Sequence, residues 1–139
     1  MKRIEKPIGL YVLTFADFIG FGVLQFFKTI QDAQSSKEET SFVIIFITLF
    51  LCVFTAASAV WAFVGDNTGR YALLTFITLN ILWIYGNLLI FILDEGIASK
   101  SGADYLIAAG KGIWGFGANF WYLMNDEVVA YFNQQSNIK

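Results

Sequence analysis

Two residues of this 139-residue chain lie inside apolar stretches and could carry chemistry. Asp17 interrupts the first apolar run, and Lys111 lies near the centre of the stretch YLIAAGKGIWGFGANFWYLM (105–124). Ionisable side chains within a membrane mark ion paths, proton relays or binding sites by default. Asp17 and Lys111 are therefore the first candidates for a proton or ion site.

The glycines around Lys111 do not form a nucleotide-binding loop. The phosphate-loop pattern requires a glycine at the position of Tyr105 and a serine or threonine at the position of Gly112. The dinucleotide fingerprint requires a strand before the glycines and a βαβ unit, which this sequence does not predict. We expect neither kind of site.

The residue types disfavour metals, cofactors and nucleic acids. The chain has no histidine and one cysteine, Cys52, so zinc sites and bis-histidine haem are excluded. The acids do not cluster in the sequence, and the nine basic residues are scattered through a chain of net charge -2. We expect no metal site, no cofactor and no nucleic-acid partner.

The composition indicates lipid as the solvent. The chain is 57% hydrophobic and 14% charged, whereas soluble domains are nearer 45–50% apolar and roughly 25% charged. Its length fits one domain, residues 1–139. We expect a multi-pass protein of the bacterial inner (plasma) membrane, with the lipid bilayer as its first partner.

Four long apolar stretches predict four membrane-spanning helices, at 8–28, 42–64, 71–93 and 105–124. A helix needs ~20 residues to cross the hydrocarbon layer, and no period-2 pattern suggests strands. The fourth span is weak alone, because a central lysine costs about 2.5–3.5 kcal/mol and each large apolar residue recovers only about 0.3–0.6. It therefore needs neighbouring helices.

Two local patterns predict how the helices meet. The sequence GDNTG (65–69) predicts a tight turn between the second and third spans, with Gly65 ending one helix and Asp66 or Asn67 capping the next. In the fourth span, small residues share one face that would admit another helix closely. These packing residues are Ala108, Gly112 and Gly115.

The partner predicted for Lys111 is Asp17. In an antiparallel bundle, counted from the cytoplasmic ends of their spans, Asp17 lies about 13 Å deep and Lys111 about 20 Å deep. A lysine side chain can cross this difference in depth of ~6 Å, either directly or through a bridging water. Further polar residues form stripes on the spans: Thr14, Gln25, Asn80, Asn87 and Asn119. Two accounts stay open: structural contacts between helices, or a hydrated path or binding site.

Lysine and arginine counts predict that both termini are cytoplasmic. Five basic residues then lie inside and three outside: Lys2, Arg3, Lys6, Arg70 and Lys139 against Lys28, Lys37 and Lys100. The tail, 125–139, predicts a short interfacial helix with Val128, Val129 and Phe132 facing lipid or a partner. The predicted fold is an all-α, four-helix antiparallel membrane bundle.

Two stretches carry a family resemblance. KPIGLYVLTFADFIGFGVL (6–24) and FWYLMNDEVVAYF (120–132) resemble the two ends of a type of small, uncharacterised bacterial membrane protein with four helices. That resemblance implies a four-span fold and no activity. The chain also resembles small multidrug-resistance transporters, which carry one acid in the first of four short spans, but it departs from them at Lys111, which would compete with a cationic substrate.

The sequence as a whole predicts a non-enzymatic membrane protein. We expect a small accessory or structural subunit, or an oligomer of identical chains, with other membrane subunits or copies of itself as partners. The alternative is a small transporter or channel that uses the pair of Asp17 and Lys111. A membrane enzyme is disfavoured because histidine, paired cysteines and clustered acids are missing.

Overall fold

The computed structural model describes residues 4–35, 42–96 and 102–138, and every regular element in those ranges is helical. Two helical segments each contain a π-helical stretch: the first segment, residues 8–35, and the fourth segment, residues 102–123. The elements are α1 (Ile8–Asp17), π1 (Phe18–Leu24), α2 (Gln25–Ser35), α3 (Phe42–Val64), α4 (Asn67–Glu95), α5 (Gly102–Gly112), π2 (Ile113–Ala118), α6 (Asn119–Leu123) and α7 (Asp126–Ile138). The all-α prediction is confirmed.

Three helices in the described ranges are long and apolar enough to cross a membrane: Ile8–Gln31, Phe42–Val64 and Asn67–Glu95. They correspond to the first three predicted spans, and they are consistent with a membrane protein. The fourth segment is also helical, but it is not one of these three. Asp104, Lys111 and Asn119 lower its hydropathy, which is the weakness expected from its sequence.

The turn between α3 and α4 is the one predicted. Gly65 has a φ of 96°, a conformation that glycine adopts at low cost. Asp66 caps α4, and its carboxylate accepts a hydrogen bond from the Thr68 amide at 2.9 Å. The two helices therefore form a close hairpin, in which Gly69 lies directly against the α3 backbone.

The fourth segment packs against α4 through its small residues. Gly115 faces Ile77 and Ile81, and Gly112 faces the hydroxyl of Tyr85. That hydroxyl donates a hydrogen bond to the Ala108 carbonyl at 2.9 Å. The three residues predicted for helix packing thus lie along the contact with α4.

Two basic side chains lie at helix C-termini on one end of the molecule. Arg70 is only 2% exposed, and its guanidinium donates to the Leu123 carbonyl at the end of α6, at 2.8 Å. Lys6 donates to the Phe63 carbonyl near the end of α3, and burial lowers the pKa of its ammonium. Cations in these places offset the partial negative charge of the helix ends.

The C-terminal helix α7 corrects one expectation. Val128 and Phe132, predicted to face lipid or a partner, are 3% and 0% exposed and belong to the core of the chain itself. Asn125 caps this helix by accepting a hydrogen bond from the Glu127 amide at 3.1 Å. The helix folds back towards α4 because its apolar side is buried in the core there.

Gly69→Ala tests the α3–α4 hairpin. A Cβ at this position would lie 2.6 Å from the carbonyl carbon of Trp61, so the two helices must separate. We expect a loss of about 1–3 kcal/mol in the free energy of unfolding, measured by thermal unfolding in mild detergent. Gly86→Ala, in the same helix, is the matched control because nothing lies within 4 Å of its Cβ; equal losses in both variants would contradict the close packing.

Candidate functional site

The centre of the molecule contains a fully buried carboxyl group, that of Asp17, which is 0% exposed. Its Oδ1 accepts a hydrogen bond from the indole Nε1 of Trp114 at 2.9 Å and another from the amide Nδ2 of Asn119 at 3.0 Å. Oδ2 is also buried and has no hydrogen-bond partner. These contacts join the first segment to the fourth.

These contacts, and not a direct bond to Lys111, engage the Asp17 carboxyl; the water-bridged form of the predicted pair stays a prediction. Along the fourth segment, Lys111 precedes Trp114 by roughly 4.5 Å and Asn119 by roughly 12 Å. The antiparallel register sets Gly9 against Tyr122 and Asp17 against Trp114 and Asn119. Lys111 therefore lies level with Gln25, and the two line the same pocket.

Both helical segments change their winding beside Asp17. This residue is the last of α1, directly before π1. Trp114 lies within π2, and Asn119 directly follows it. The Asn119 amide also donates to the Trp114 carbonyl at 3.2 Å. Such π-helical turns are rare and occur often at functional sites, because they place side chains where a regular helix would not.

A second buried polar cluster joins three helices. Gln25 donates to the Oδ1 of Asn80 at 3.0 Å, and Asn80 donates to the hydroxyl of Thr55 at 3.4 Å. Thr55 in turn donates to the Leu51 carbonyl in its own helix. Gln25 and Asn80 are two of the predicted polar-stripe residues. The cluster that they form with Thr55 links α2, α3 and α4.

The other stripe residues bond to their own helices. The Thr14 hydroxyl donates to the Leu10 carbonyl at 2.6 Å, and the Asn87 amide donates to the Trp83 carbonyl at 2.8 Å. These bonds lie within single helices and do not link one helix to another.

A pocket of about 490 Å³ opens where α2, α3, α4 and α5 meet. Lys28 and Lys111 both line it, and their charges are close enough to repel each other. It lies towards the end of the molecule opposite Lys6 and Arg70. The structure thus separates the two ionisable residues of the sequence analysis: Asp17 lies in a closed centre and Lys111 lies in an open pocket.

Sequence reasoning missed two functional contacts. Trp114 was not among the predicted site residues, because an aromatic residue in a span gives no sign of a buried acceptor for its N–H group. Arg70 was counted as a surface charge, although it is buried against α6 and α7. Neither residue type nor spacing distinguishes these roles.

The Asp17 site holds a proton acceptor and two neutral donors. Within the described ranges no three residues among histidine, cysteine, aspartate and glutamate lie together. The arrangement can bind or release a proton at Oδ2 and can hold two helices together. A nucleophile is not among the groups that touch the carboxyl.

Comparisons with protein-family models, curated proteins and solved structures found no match to this chain. The resemblance at residues 6–24 and 120–132 therefore stays an expectation, and function has to be argued from the geometry.

Substitutions at Asp17 separate hydrogen bonding from charge pairing. Asp17→Asn keeps an acceptor for Trp114 and Asn119, so we expect a free energy of unfolding within about 1 kcal/mol of the parent. Asp17→Leu removes the acceptor of the Trp114 indole and one of the two acceptors of the Asn119 amide, and we expect a loss of about 1–3 kcal/mol for each lost bond. Thermal unfolding in detergent measures both. If Asp17→Asn lowered the free energy of unfolding as much as Asp17→Leu, the site would need the negative charge of the carboxylate, as pairing with a cation requires.

Proposed function

We propose that this chain is an integral membrane protein with four antiparallel spanning segments and both termini in the cytoplasm. Three described helices are apolar enough to span, and hydrogen bonds and glycine contacts support adding the fourth segment to them. Lys6 and Arg70 lie at the same end, which the excess of basic residues assigns to the cytoplasm of a bacterial inner membrane.

We propose that it acts without catalysis, as a small accessory or structural subunit or as an oligomer of identical chains. The observation that carries this proposal is that the buried polar groups bond to one another within this chain. Asp17, Gln25 and Asn80 are each at least 94% buried, and their bonds join helices of this chain to one another. A closed centre of this kind supports a scaffold, whose outer apolar surface serves lipid and other membrane helices.

The exposed surface has the character that such a role needs. Large apolar side chains are exposed on each of the spanning segments, including Phe15, Phe46, Leu82 and Ile113. In water a surface this apolar would aggregate, whereas in a bilayer it can contact acyl chains or another protein helix equally well. Small residues and shape complementarity would then decide where a partner binds.

Native mass spectrometry of the tagged chain, extracted gently from its own membrane, tests this role. We expect a stoichiometric complex, either with other polypeptides or with further copies of the chain. The control is the Gly69→Ala variant, because a complex that depends on the folded hairpin should lose occupancy when that hairpin opens. A monomer throughout a series of mild detergents would contradict the proposal.

A small transporter or channel is the second candidate, and the pocket beside Lys111 favours it. A continuous path through the protein would have to run from this pocket past Gln25 and Asn80 to Asp17. Those residues are 6%, 0% and 0% exposed, so the path would need an opening motion. Solute uptake into proteoliposomes, compared between the parent and Asp17→Asn, measures such transport directly.

Cysteine accessibility distinguishes the two candidates. In a Cys52→Ala background, we expect Asn87→Cys to react with a water-soluble maleimide, because Asn87 lines the pocket. Asn80→Cys should stay unreactive, because position 80 is 0% exposed. The two positions lie on one face of α4, two turns apart, so they form a matched pair. Equal labelling would reveal a water path and favour the transporter.

A further inference from the structure

The pocket between α2, α3, α4 and α5 has the size and chemistry of a binding site. Its volume of about 490 Å³ lies within the ~300–1,000 Å³ range of ligand sites. Two lysines and one aspartate, Lys28, Lys111 and Asp104, line it, so the ionised lining groups that the structure describes sum to a charge of +1. It therefore favours a ligand with a negative charge.

The neutral donors of the pocket are already used inside the protein. The Thr29 hydroxyl donates to the Gln25 carbonyl, the Trp83 indole donates to the Thr48 hydroxyl, and Thr48 donates to the Ile44 carbonyl. The two lysine ammoniums, by contrast, make no hydrogen bond or ion pair with the residues that the structure describes. The charged donors available to a ligand are thus these two ammoniums, and they suit a strongly accepting anion.

Two lysines that repel each other across one pocket also need a counter-charge. Each could extend to water separately, as lysines near membrane surfaces often do. Lys111, however, is half-buried and shares its pocket with Lys28, whose charge acts on it. An anion between the two ammoniums would remove this repulsion and contact both of them.

Part of the remaining wall is apolar, which favours an anion that is also an amphiphile. Ile45, Ile84, Leu88 and Ile107 line the pocket beside the lysines. Lys28 lies near the end of the first spanning helix, Ile8–Gln31, which is the headgroup level of a bilayer if the helix spans it. Lys111 lies deeper, near the middle of the fourth segment, and its long side chain can extend towards that level. Acyl chains could then run along the isoleucines and leucine, while a headgroup occupies the polar part.

We infer that this pocket binds an anionic phospholipid, with its phosphate between Lys28 and Lys111 and its acyl chains along the apolar wall. A phosphodiester carries one negative charge, which matches the charge of the lining, and lysine binds phosphate as a point charge. The inference rests on the membrane location proposed above. Membrane fractionation tests that location separately, without reference to any lipid.

The test is the thermal stabilisation of the detergent-solubilised full chain by added phosphatidylglycerol. Phosphatidylcholine with the same acyl chains is the lipid control, and glycerol phosphate is the control for a free phosphate. We expect phosphatidylglycerol to raise the melting temperature with a saturating dose dependence. Phosphatidylcholine and glycerol phosphate should have no such effect at the same concentrations.

Variants locate the site. We expect Lys111→Gln and Lys28→Gln each to weaken the apparent affinity about fivefold, the contribution of one lysine near an anionic membrane surface. Lys111→Arg should retain binding, which shows that charge rather than folding is responsible. Lys6→Gln is the matched control, since it removes the same charge at the opposite end of the molecule and should leave the affinity unchanged.

Three results would overturn the inference. Stabilisation by phosphatidylcholine equal to that by phosphatidylglycerol would mean that the charge is not recognised. Equal weakening in Lys6→Gln and Lys111→Gln would mean that the attraction is not local to the pocket. Stabilisation by glycerol phosphate alone would replace the lipid with a soluble phosphate ligand.

Discussion

The fold depends on how the fourth segment is held, because this segment has little reason of its own to enter a membrane. It carries Asp104, Lys111 and Asn119, and it is not among the helices apolar enough to span. The Asp17 carboxyl accepts from Trp114 and Asn119 and so ties this segment to the first. A carboxyl group buried in this place would be costly without those donors, and the donors would be costly without it.

Single polar contacts between membrane helices are weak, on average about 0.6 kcal/mol. The fourth segment therefore depends on several contacts at once. Its glycines let α4 approach closely, and the Arg70 guanidinium binds the carbonyl at its C-terminal end. The Asp17 contact fixes the register of the fourth segment against the first. The glycines set its distance from α4, and Arg70 holds its C-terminal end. Each constraint acts on a different degree of freedom, so the segment has one position although no contact is strong.

The sequence was sufficient for the parts of the fold that depend on composition and local pattern. Apolar runs located three long helices, and the glycine and aspartate of the 65–69 turn predicted both the end of α3 and the start of α4. The partner of Asp17 could not be found in this way. Opposite charge suggested Lys111, but the register of the two segments decides which residues meet, and no local signal sets that register. The two π-helical stretches also shift the side chains around Asp17, and no feature of their sequences predicted them.

The burial of Arg70 and of α7 was missed for a related reason. A basic residue beside a span predicts topology through its charge, but it can be buried where a helix end supplies carbonyl groups. The apolar side of α7 was read as lipid-facing because an amphipathic helix after a last span has two possible covers, lipid or the protein core. The structure places Val128 and Phe132 in the core. That end of the chain is consequently covered in part by its own helix, which lines a pocket of about 510 Å³ together with Lys6, while the opposite end has the pocket with Lys28 and Lys111. The two ends therefore differ in how their cations are used: Lys6 and Arg70 bind helix carbonyl groups, whereas Lys28 and Lys111 line a pocket.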